Sequence, residues 1–174
     1  MVFLTPPATS SDIVSLGIYH PYRGGSNPDF DRFSSLILSL KNQKDEGFAY
    51  FYKQLAPLFR EDIAVAVVPS HDPAKSTSGI RSLAKLLAHD SSRVDASACL
   101  QRVIKIDKLA TGGDRSVQKH LDSIRVAQPE LIRGRAVLLL DDVTTTHNSL
   151  LACRTLLLNA GATSVQAYAL AQTQ

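Results

Sequence analysis

Two short stretches of this sequence are apolar at every position, and they restrict the fold more than any other feature does. Residues 63–68 read IAVAVV, and residues 136–140 read AVLLL. A strand with one side in water alternates apolar and polar residues, whereas a strand covered on both faces is apolar throughout, as in parallel sheets. Both stretches are therefore predicted to be strands of a parallel sheet that is covered on both faces.

Helical segments alternate with these strands. Asn27 is a good capping residue and Pro28 suits the first position of a helix, so a helix is predicted to begin there. Further helices are predicted over residues 46–59, 80–87, 117–124 and 148–159, and further strands within residues 12–22, 100–106 and 165–170. This alternation predicts an α/β fold with a Rossmann-like parallel sheet flanked by helices.

Length and cysteine usage exclude several classes of protein. The 174 residues suit one domain, since most domains have roughly 100–200 residues. The two aliphatic runs, residues 63–68 and residues 136–140, are both far shorter than the ~20 residues that cross a bilayer. Residues 1–12 lack the pattern of a signal peptide. The two cysteines form no C-x-x-C pair, which argues against a disulfide framework and a cysteine zinc site. We expect one cytoplasmic domain that does not enter a membrane.

The positive charge of the chain is concentrated in one region. The formal net charge is +3. Residues 102–135 hold eight Lys and Arg against four Asp and Glu, so this region carries +4 and the remainder −1. A local excess of this kind indicates an anionic ligand, although a solvated basic face would look the same. No nucleic-acid-binding motif accompanies it, and +3 is modest for such a role.

The end of the second apolar stretch carries the strongest chemical signal. Residues 137–150 read VLLLDDVTTTHNSL. In open α/β sheets, ligands bind beyond the carboxyl ends of the strands, where Asp141 and Asp142 are expected. The hydroxyl-rich residues 144–149 then lead into a helix, whose free amide groups suit a phosphate. Either the aspartates merely cap a turn, or the segment binds a sugar phosphate or a magnesium ion attached to a phosphate.

This segment resembles the phosphoribosyl pyrophosphate (PRPP) signature of type I phosphoribosyltransferases. The usual form is close to VLLVDDVxTTGxT, and residues 137–146 follow it continuously, with His147 in place of the usual glycine. Glycine suits that position because it accepts a left-handed backbone, which costs a histidine energy. Among such proteins the chain is most similar to the ComF group, diffusely over residues 13–172, and it lacks that group's zinc ribbon.

The resemblance implies a type I phosphoribosyltransferase fold in a single domain, with a small N-terminal hood over about residues 1–60 and a PRPP-binding core over residues 61–174. It implies that Asp141 and Asp142 are catalytic and hold the ribose hydroxyls, directly or through Mg²⁺. The residues implied to bind the 5′-phosphate are Thr144, Thr145, Thr146, His147, Asn148 and Ser149, and Val143 is also implied to bind PRPP. Those implied on the pyrophosphate side are Ser70, His71, Lys75, Lys105, Lys108 and Arg115, the last three in or beside a flap that contains Gly112 and Gly113. His71 is alternatively interpreted as a base or as an ordinary loop residue. His120 is interpreted as a residue at the boundary of a helix rather than as a catalyst.

The activity that the resemblance implies is Mg²⁺-dependent transfer of the phosphoribosyl group from PRPP to a nitrogenous acceptor, with release of pyrophosphate. The alternative is a regulator that senses PRPP or a nucleotide without turnover, or a component of a larger complex. The sequence identifies no acceptor and leaves a homodimer or a protein complex open. Nucleoside triphosphate hydrolysis is disfavoured because no G-x-x-x-x-G-K-[ST] loop is present.

Overall fold

A computed structural model describes residues 1–4, 13–106 and 116–173. Its strands are β1 (Ile13–Ser15), β2 (Ala64–Val67), β3 (Val94–Ala96), β4 (Leu100–Arg102), β5 (Ile124–Val126), β6 (Ala136–Thr144) and β7 (Ser164–Gln172). Five of them form one sheet in the order β1-β7-β6-β2-β3, and every neighbouring pair is parallel. The predicted α/β architecture with a parallel sheet flanked by helices is confirmed.

Helices cover both faces of this sheet. They are α1 (Arg32–Lys41), α2 (Asp45–Leu55), α3 (Gly79–His89), α4 (Val117–Ser123) and α5 (Asn148–Asn159). Leu138 and Leu140 of β6 belong to the core shared with α1, α2 and α3, whereas Val137 and Leu139 belong to the core shared with α5. This double burial is why the strand is apolar at every position. In the described segments, no helix has the length and apolar character needed to span a membrane.

The first helix begins later than predicted. Asp31, rather than Asn27, caps α1, because its carboxylate accepts a hydrogen bond of 2.7 Å from the backbone N–H of Ser34. The Asn27 side chain instead holds a turn: its amide oxygen accepts from the Asp29 N–H at 3.1 Å, and its amide nitrogen donates to the Pro21 carbonyl at 2.8 Å. The capping prediction was therefore wrong by one turn.

The elements predicted over residues 46–59, 100–106 and 117–124 are also shorter than expected. Helix α2 ends at Leu55, and Pro57, which has no amide hydrogen to donate, lies in a 3-10 turn that follows. Strand β4 stops at Arg102 and pairs antiparallel with β5 outside the main sheet. Ile124 begins β5 rather than ending α4. The main sheet has β1 at one edge and β3 at the other, and the sequence did not indicate β3.

Strand β6 is longer than predicted, and this difference matters for the site. The apolar run ends at Leu140, but pairing with β7 continues as far as Thr144 opposite Gln172. Asp141 and Asp142 were expected to end the strand, and they instead lie within it, since β6 continues for two residues beyond them. Both are partly buried.

Both cysteines are predicted to be unreactive in the folded protein. Cys99 and Cys153 are buried in the core between the sheet and α5. Burial raises the pKa of the Cys99 thiol to about 12 and also raises the pKa of Cys153. Because the thiolate is the reactive form, we expect no alkylation by iodoacetamide at pH 8 within an hour, and two alkylated sites after denaturation in urea. Rapid labelling of the native protein, read by mass spectrometry, would contradict this packing.

Candidate functional site

An open cleft of about 350 Å³ lies at the carboxyl ends of β2 and β6, beside the amino-terminal ends of α3 and α5. This is the edge at which parallel sheets bind ligands. The residues that line it are Lys41, Val68, Pro69, Ser70, His71, Ser78, Ile80, His120, Asp141, Asp142, Val143, Thr144, Thr145, Thr146, His147 and Ser149. Ten of the residues that the resemblance implicates are thus brought together around one space.

The two aspartates are oriented by backbone hydrogen bonds. The N–H of Asp142 donates to Asp141 Oδ1 at 2.9 Å, and the N–H of Val143 donates to Asp142 Oδ1 at 2.6 Å. Ser149 Oγ lies 3.4 Å from Asp141 Oδ2. Each carboxylate therefore has one oxygen held by the backbone, which fixes its orientation while the group remains partly exposed to the cleft.

A tight turn carries the chain from β6 into α5. Thr144 is 2% exposed, and within the described part of the chain its Oγ1 atom has no hydrogen-bond partner. A buried hydroxyl without a partner costs about 1–3 kcal/mol. The turn is anchored from β7, because the Thr173 N–H donates to the Thr144 carbonyl at 2.9 Å and the Thr173 hydroxyl donates to that of Thr145 at 2.8 Å. The turn thus contains a buried, unsatisfied hydroxyl in a residue that lines the cleft.

His147 occupies the left-handed backbone conformation expected of the glycine that it replaces. Its φ is 62° and its ψ is −5°, and it is the residue immediately before α5. The amide groups of the first turn of α5 follow it, and they are the groups that a helix leaves without partners. The backbone at this position is therefore left-handed although the residue carries a side chain.

Replacing His147 with glycine is predicted to stabilise the protein. The substitution removes a left-handed strain of about 1 kcal/mol, partly offset by the greater freedom of glycine in the unfolded chain. We expect a gain of about 0.5 kcal/mol in the free energy of unfolding, measured in urea. His147→Ala is the matched control, because it keeps the Cβ atom and therefore the strain. A His147→Gly variant that is no more stable than His147→Ala would contradict the expectation.

On the β2 side, the cleft is built on a buried cation that the sequence did not reveal. Arg102 is 6% exposed, and its Nε donates to the Ser70 carbonyl at 3.0 Å. Its Nη1 donates to Ser123 Oγ at 2.5 Å, and its Nη2 lies 3.2 Å from His120 Nδ1. Since a guanidinium group only donates, His120 Nδ1 accepts and the ring carries its proton on Nε2. The predicted boundary residue His120 is instead a buried part of the cleft wall.

The predicted pyrophosphate residues divide into three groups. Ser70 and His71 line the cleft, whereas Lys75 and Lys105 do not. The Lys105 Nζ atom is 3.5 Å from an oxygen of Asp72. The Ala74 N–H and, less strongly, the Lys105 ammonium group lower the pKa of that carboxyl. The third group, Lys108 and Arg115, lies outside the described residues, as do the glycines of the predicted flap.

Asn148, which was predicted to bind the 5′-phosphate, is the first residue of α5 and does not line the cleft.

Lys41 is a lining residue for which the sequence offered no chemical signal. It is the last residue of α1, a position where a lysine normally needs no further explanation because it complements the helix dipole. Its Nζ atom lies 3.5 Å from Asp142 Oδ2 and 5.5 Å from the centre of the Tyr19 ring. The structure therefore adds a cation to the carboxylate end of the cleft.

The oxygen donors of the cleft fit a magnesium ion that a ligand helps to hold. In residues 1–4, 13–106 and 116–173, no group of three or more His, Cys, Asp or Glu side chains could enclose a metal. Mg²⁺, however, is usually bound by one or two carboxylates together with waters and substrate phosphates. Asp141 and Asp142 supply such carboxylates on one lining, so the residues present suit a metal that arrives with a phosphorylated ligand.

No protein-family model matches this chain, and no curated protein matches it either. The chemistry of the cleft is therefore the basis for assigning a function. Its lining joins two oriented carboxylates, a hydroxyl-rich turn before a helix, and one lysine.

Proposed function

We propose that this protein binds PRPP together with Mg²⁺ and transfers its phosphoribosyl group to a nitrogenous acceptor, releasing pyrophosphate. The observation that carries the proposal is the unpartnered Thr144 hydroxyl, buried in the lining that also holds Asp141 and Asp142. A ligand that satisfies both must present hydrogen-bond acceptors to the turn and hydroxyl groups or a cation to the carboxylates. A ribose with a 5′-phosphate has this combination.

The turn before α5 would bind the 5′-phosphate. The first amide groups of a helix and nearby hydroxyls suit an anion because they are donors and because the helix dipole is positive there. Thr144, Thr145, Thr146 and Ser149 line this part of the cleft. Binding a phosphate oxygen would give the Thr144 hydroxyl the partner that it lacks, which favours the bound state.

The carboxylates would act on the ribose ring. Displacement of pyrophosphate from a sugar carbon passes through a transition state that resembles an oxocarbenium ion, as in glycoside cleavage. Asp141 and Asp142 accept hydrogen bonds from backbone N–H groups, so their carboxylates are already fixed before a positive charge would develop on the ribose. Mg²⁺, when bound, would neutralise charge on the departing pyrophosphate.

A turnover assay distinguishes transfer from binding alone. The wild type is incubated with PRPP, Mg²⁺ and a panel of purine, pyrimidine and other nitrogenous acceptors, and pyrophosphate is measured by a coupled assay. We expect one class of acceptor to stimulate release, and Asp141→Asn/Asp142→Asn to reduce that rate about 100-fold or more. Release that no acceptor increases, or that the double substitution leaves unchanged, would reject the transferase.

The second candidate is a PRPP-sensing regulator that does not turn over its ligand. Two observations favour it: His147 replaces the glycine of the signature, and Lys75 and Lys105 do not line the cleft. Such a protein would bind PRPP with an affinity that Asp141→Asn/Asp142→Asn weakens, yet release no pyrophosphate with any acceptor. The same panel, combined with a binding measurement, therefore separates the two candidates.

A further inference from the structure

We propose that Lys41 binds the diphosphate group of the ligand, at the end of the cleft where Asp142 binds the neighbouring ribose hydroxyl. This inference rests on the proposed function and adds to it a binding residue on α1, nearly a hundred positions before the signature segment. It also replaces Lys75 and Lys105 as the described lysine nearest the ligand's charged leaving group.

The first reason is the balance of charge in the cleft. Of the residues that the structure describes in the lining, Lys41 is the only lysine or arginine. Asp141 and Asp142 lie in the same lining and would repel a diphosphate. A group with several negative charges needs a cation close by, and the Lys105 ammonium group is directed to Asp72 at 3.5 Å.

The second reason is where the ammonium group lies. Lys41 Nζ is 3.5 Å from Asp142 Oδ2. If Asp142 accepts a hydrogen bond from a ribose hydroxyl beside the reacting carbon, the diphosphate on that carbon is the next charged group along the ligand. The 5′-phosphate is on the opposite side of the ring and would lie at α5. A lysine beside Asp142 is thus placed for the diphosphate and not for the 5′-phosphate.

The third reason is that the lysine is held at the cleft yet can still move. The Tyr19 ring lies 5.5 Å from Nζ, which is within the range of a cation–π contact. The side chains of Lys41 and Asp142 are 34% and 28% exposed. A partly exposed ion pair is weak, and a lysine stem is flexible, so an arriving ligand can open the pair. The ribose hydroxyl then donates a hydrogen bond to the Asp142 carboxylate, and the diphosphate pairs with the Lys41 ammonium group.

Three probes test the role of Lys41: inorganic pyrophosphate, ribose 5-phosphate and PRPP, each titrated with and without Mg²⁺. We expect Lys41→Met to weaken the binding of pyrophosphate and of PRPP about tenfold, which is the effect of losing one charged hydrogen bond. The affinity for ribose 5-phosphate should change by no more than about twofold. Lys41→Arg should retain affinity within about threefold. Lys53→Met is the matched control, since Lys53 is an exposed lysine in the last turn of α2, and it should change nothing.

Asp142→Asn supplies a reciprocal test, and the result for this single variant does not depend on the folding of Lys41→Met. Removing the charge that pairs with Lys41 should strengthen the binding of inorganic pyrophosphate about threefold in the absence of Mg²⁺. In the double variant, Lys41→Met should abolish that gain in affinity. The inference would be overturned if Lys41→Met reduced the affinities for ribose 5-phosphate and PRPP equally, or if it reduced the affinity for none of the three probes. An Asp142→Asn variant without a gain in affinity for pyrophosphate would overturn it too. A wild type that binds pyrophosphate through Lys41 but neither ribose ligand would instead reject the proposed function.

Discussion

Substituting Gly79 with alanine is expected to destabilise the protein by about 3 kcal/mol or more, the opposite of the usual effect in a helix. Gly79 is the first residue of α3, and in the middle of a helix alanine is normally favoured over glycine by about 0.5–1 kcal/mol. Here a Cβ atom would overlap the carbonyl oxygen of Leu40 and lie 2.7 Å from its carbonyl carbon. Because these are backbone atoms, the two helices would have to separate.

The same separation would disturb the cleft. The cleft is lined by Lys41, Ser78 and Ile80. Leu40 directly precedes the first of these residues, and Gly79 lies between the other two. Urea unfolding followed by circular dichroism measures the loss of stability. Gly134→Ala is the control, because nothing lies within 4 Å of a Cβ there and only its φ of 73° opposes the change, at about 1 kcal/mol. A Gly79→Ala variant as stable as wild type would show that α1 and α3 do not pack this closely.

Substituting Arg93 with methionine is expected to cost about 4 kcal/mol, because it removes one cation from several backbone acceptors at once. Arg93 is 9% exposed. Its guanidinium group donates to the carbonyls of Arg60, Leu87, Ala56 and Phe59 at 2.9, 3.1, 2.9 and 2.7 Å. Methionine has a similar length but no donor, so the four carbonyls would lose this donor in a place that water reaches poorly. The Leu87 carbonyl would keep the Ser91 hydroxyl, which donates to it at 2.9 Å.

The effect of Arg93 is separable from the site. Arg93 precedes β3, at the amino end of the sheet, whereas the cleft is at the carboxyl end. Arg125→Met is the matched control, since Arg125 is exposed and donates to Gln101 at 3.2 Å; it should change stability by about 0.5 kcal/mol or less. If both arginine variants unfold at the same urea concentration, the bonds to the four carbonyls do not contribute as expected.

The central strands and the wall of the cleft were predictable because the signals for them are local. The apolar stretches of β2 and β6 reveal burial on both faces without reference to any other part of the chain. Residues 141–149 are contiguous, so the carboxylates and the hydroxyl-rich turn appear together in the sequence. The left-handed backbone at His147 also followed from the position of the usual glycine, and the structure confirms it.

The missed elements depend on contacts between distant residues. Strand β3 has the sequence VDA, which is too short and too polar to stand out, and it forms because β2 offers a parallel partner. Strand β4 follows a similar rule: its pairing with β5 ends it at Arg102, although the apolar pattern continues to Ile106. No local pattern specifies which strands will meet.

The cations of the site were missed for the same reason. Lys41 is separated from Asp142 by about a hundred residues, and only the packing of α1 beside α3 brings it to the cleft. Arg102 looked like one member of a basic region, yet it is buried and holds Ser70 and His120. Conversely, the resemblance implied that Lys75 and Lys105 lie on the pyrophosphate side, and neither lines the cleft.

The most direct test of a PRPP site in this cleft is a calorimetric titration of PRPP into the wild type, with and without Mg²⁺. The titration is carried out at two temperatures, so that a binding enthalpy near zero is not mistaken for absence of binding. The comparison is with Asp141→Asn/Asp142→Asn and with the control Glu61→Gln/Asp62→Asn, which removes two adjacent exposed acids before β2. We expect Mg²⁺-dependent binding that the first pair of substitutions weakens about 100-fold and the second leaves unchanged. No binding by the wild type, or equal affinity in both double variants, would contradict a PRPP site in this cleft.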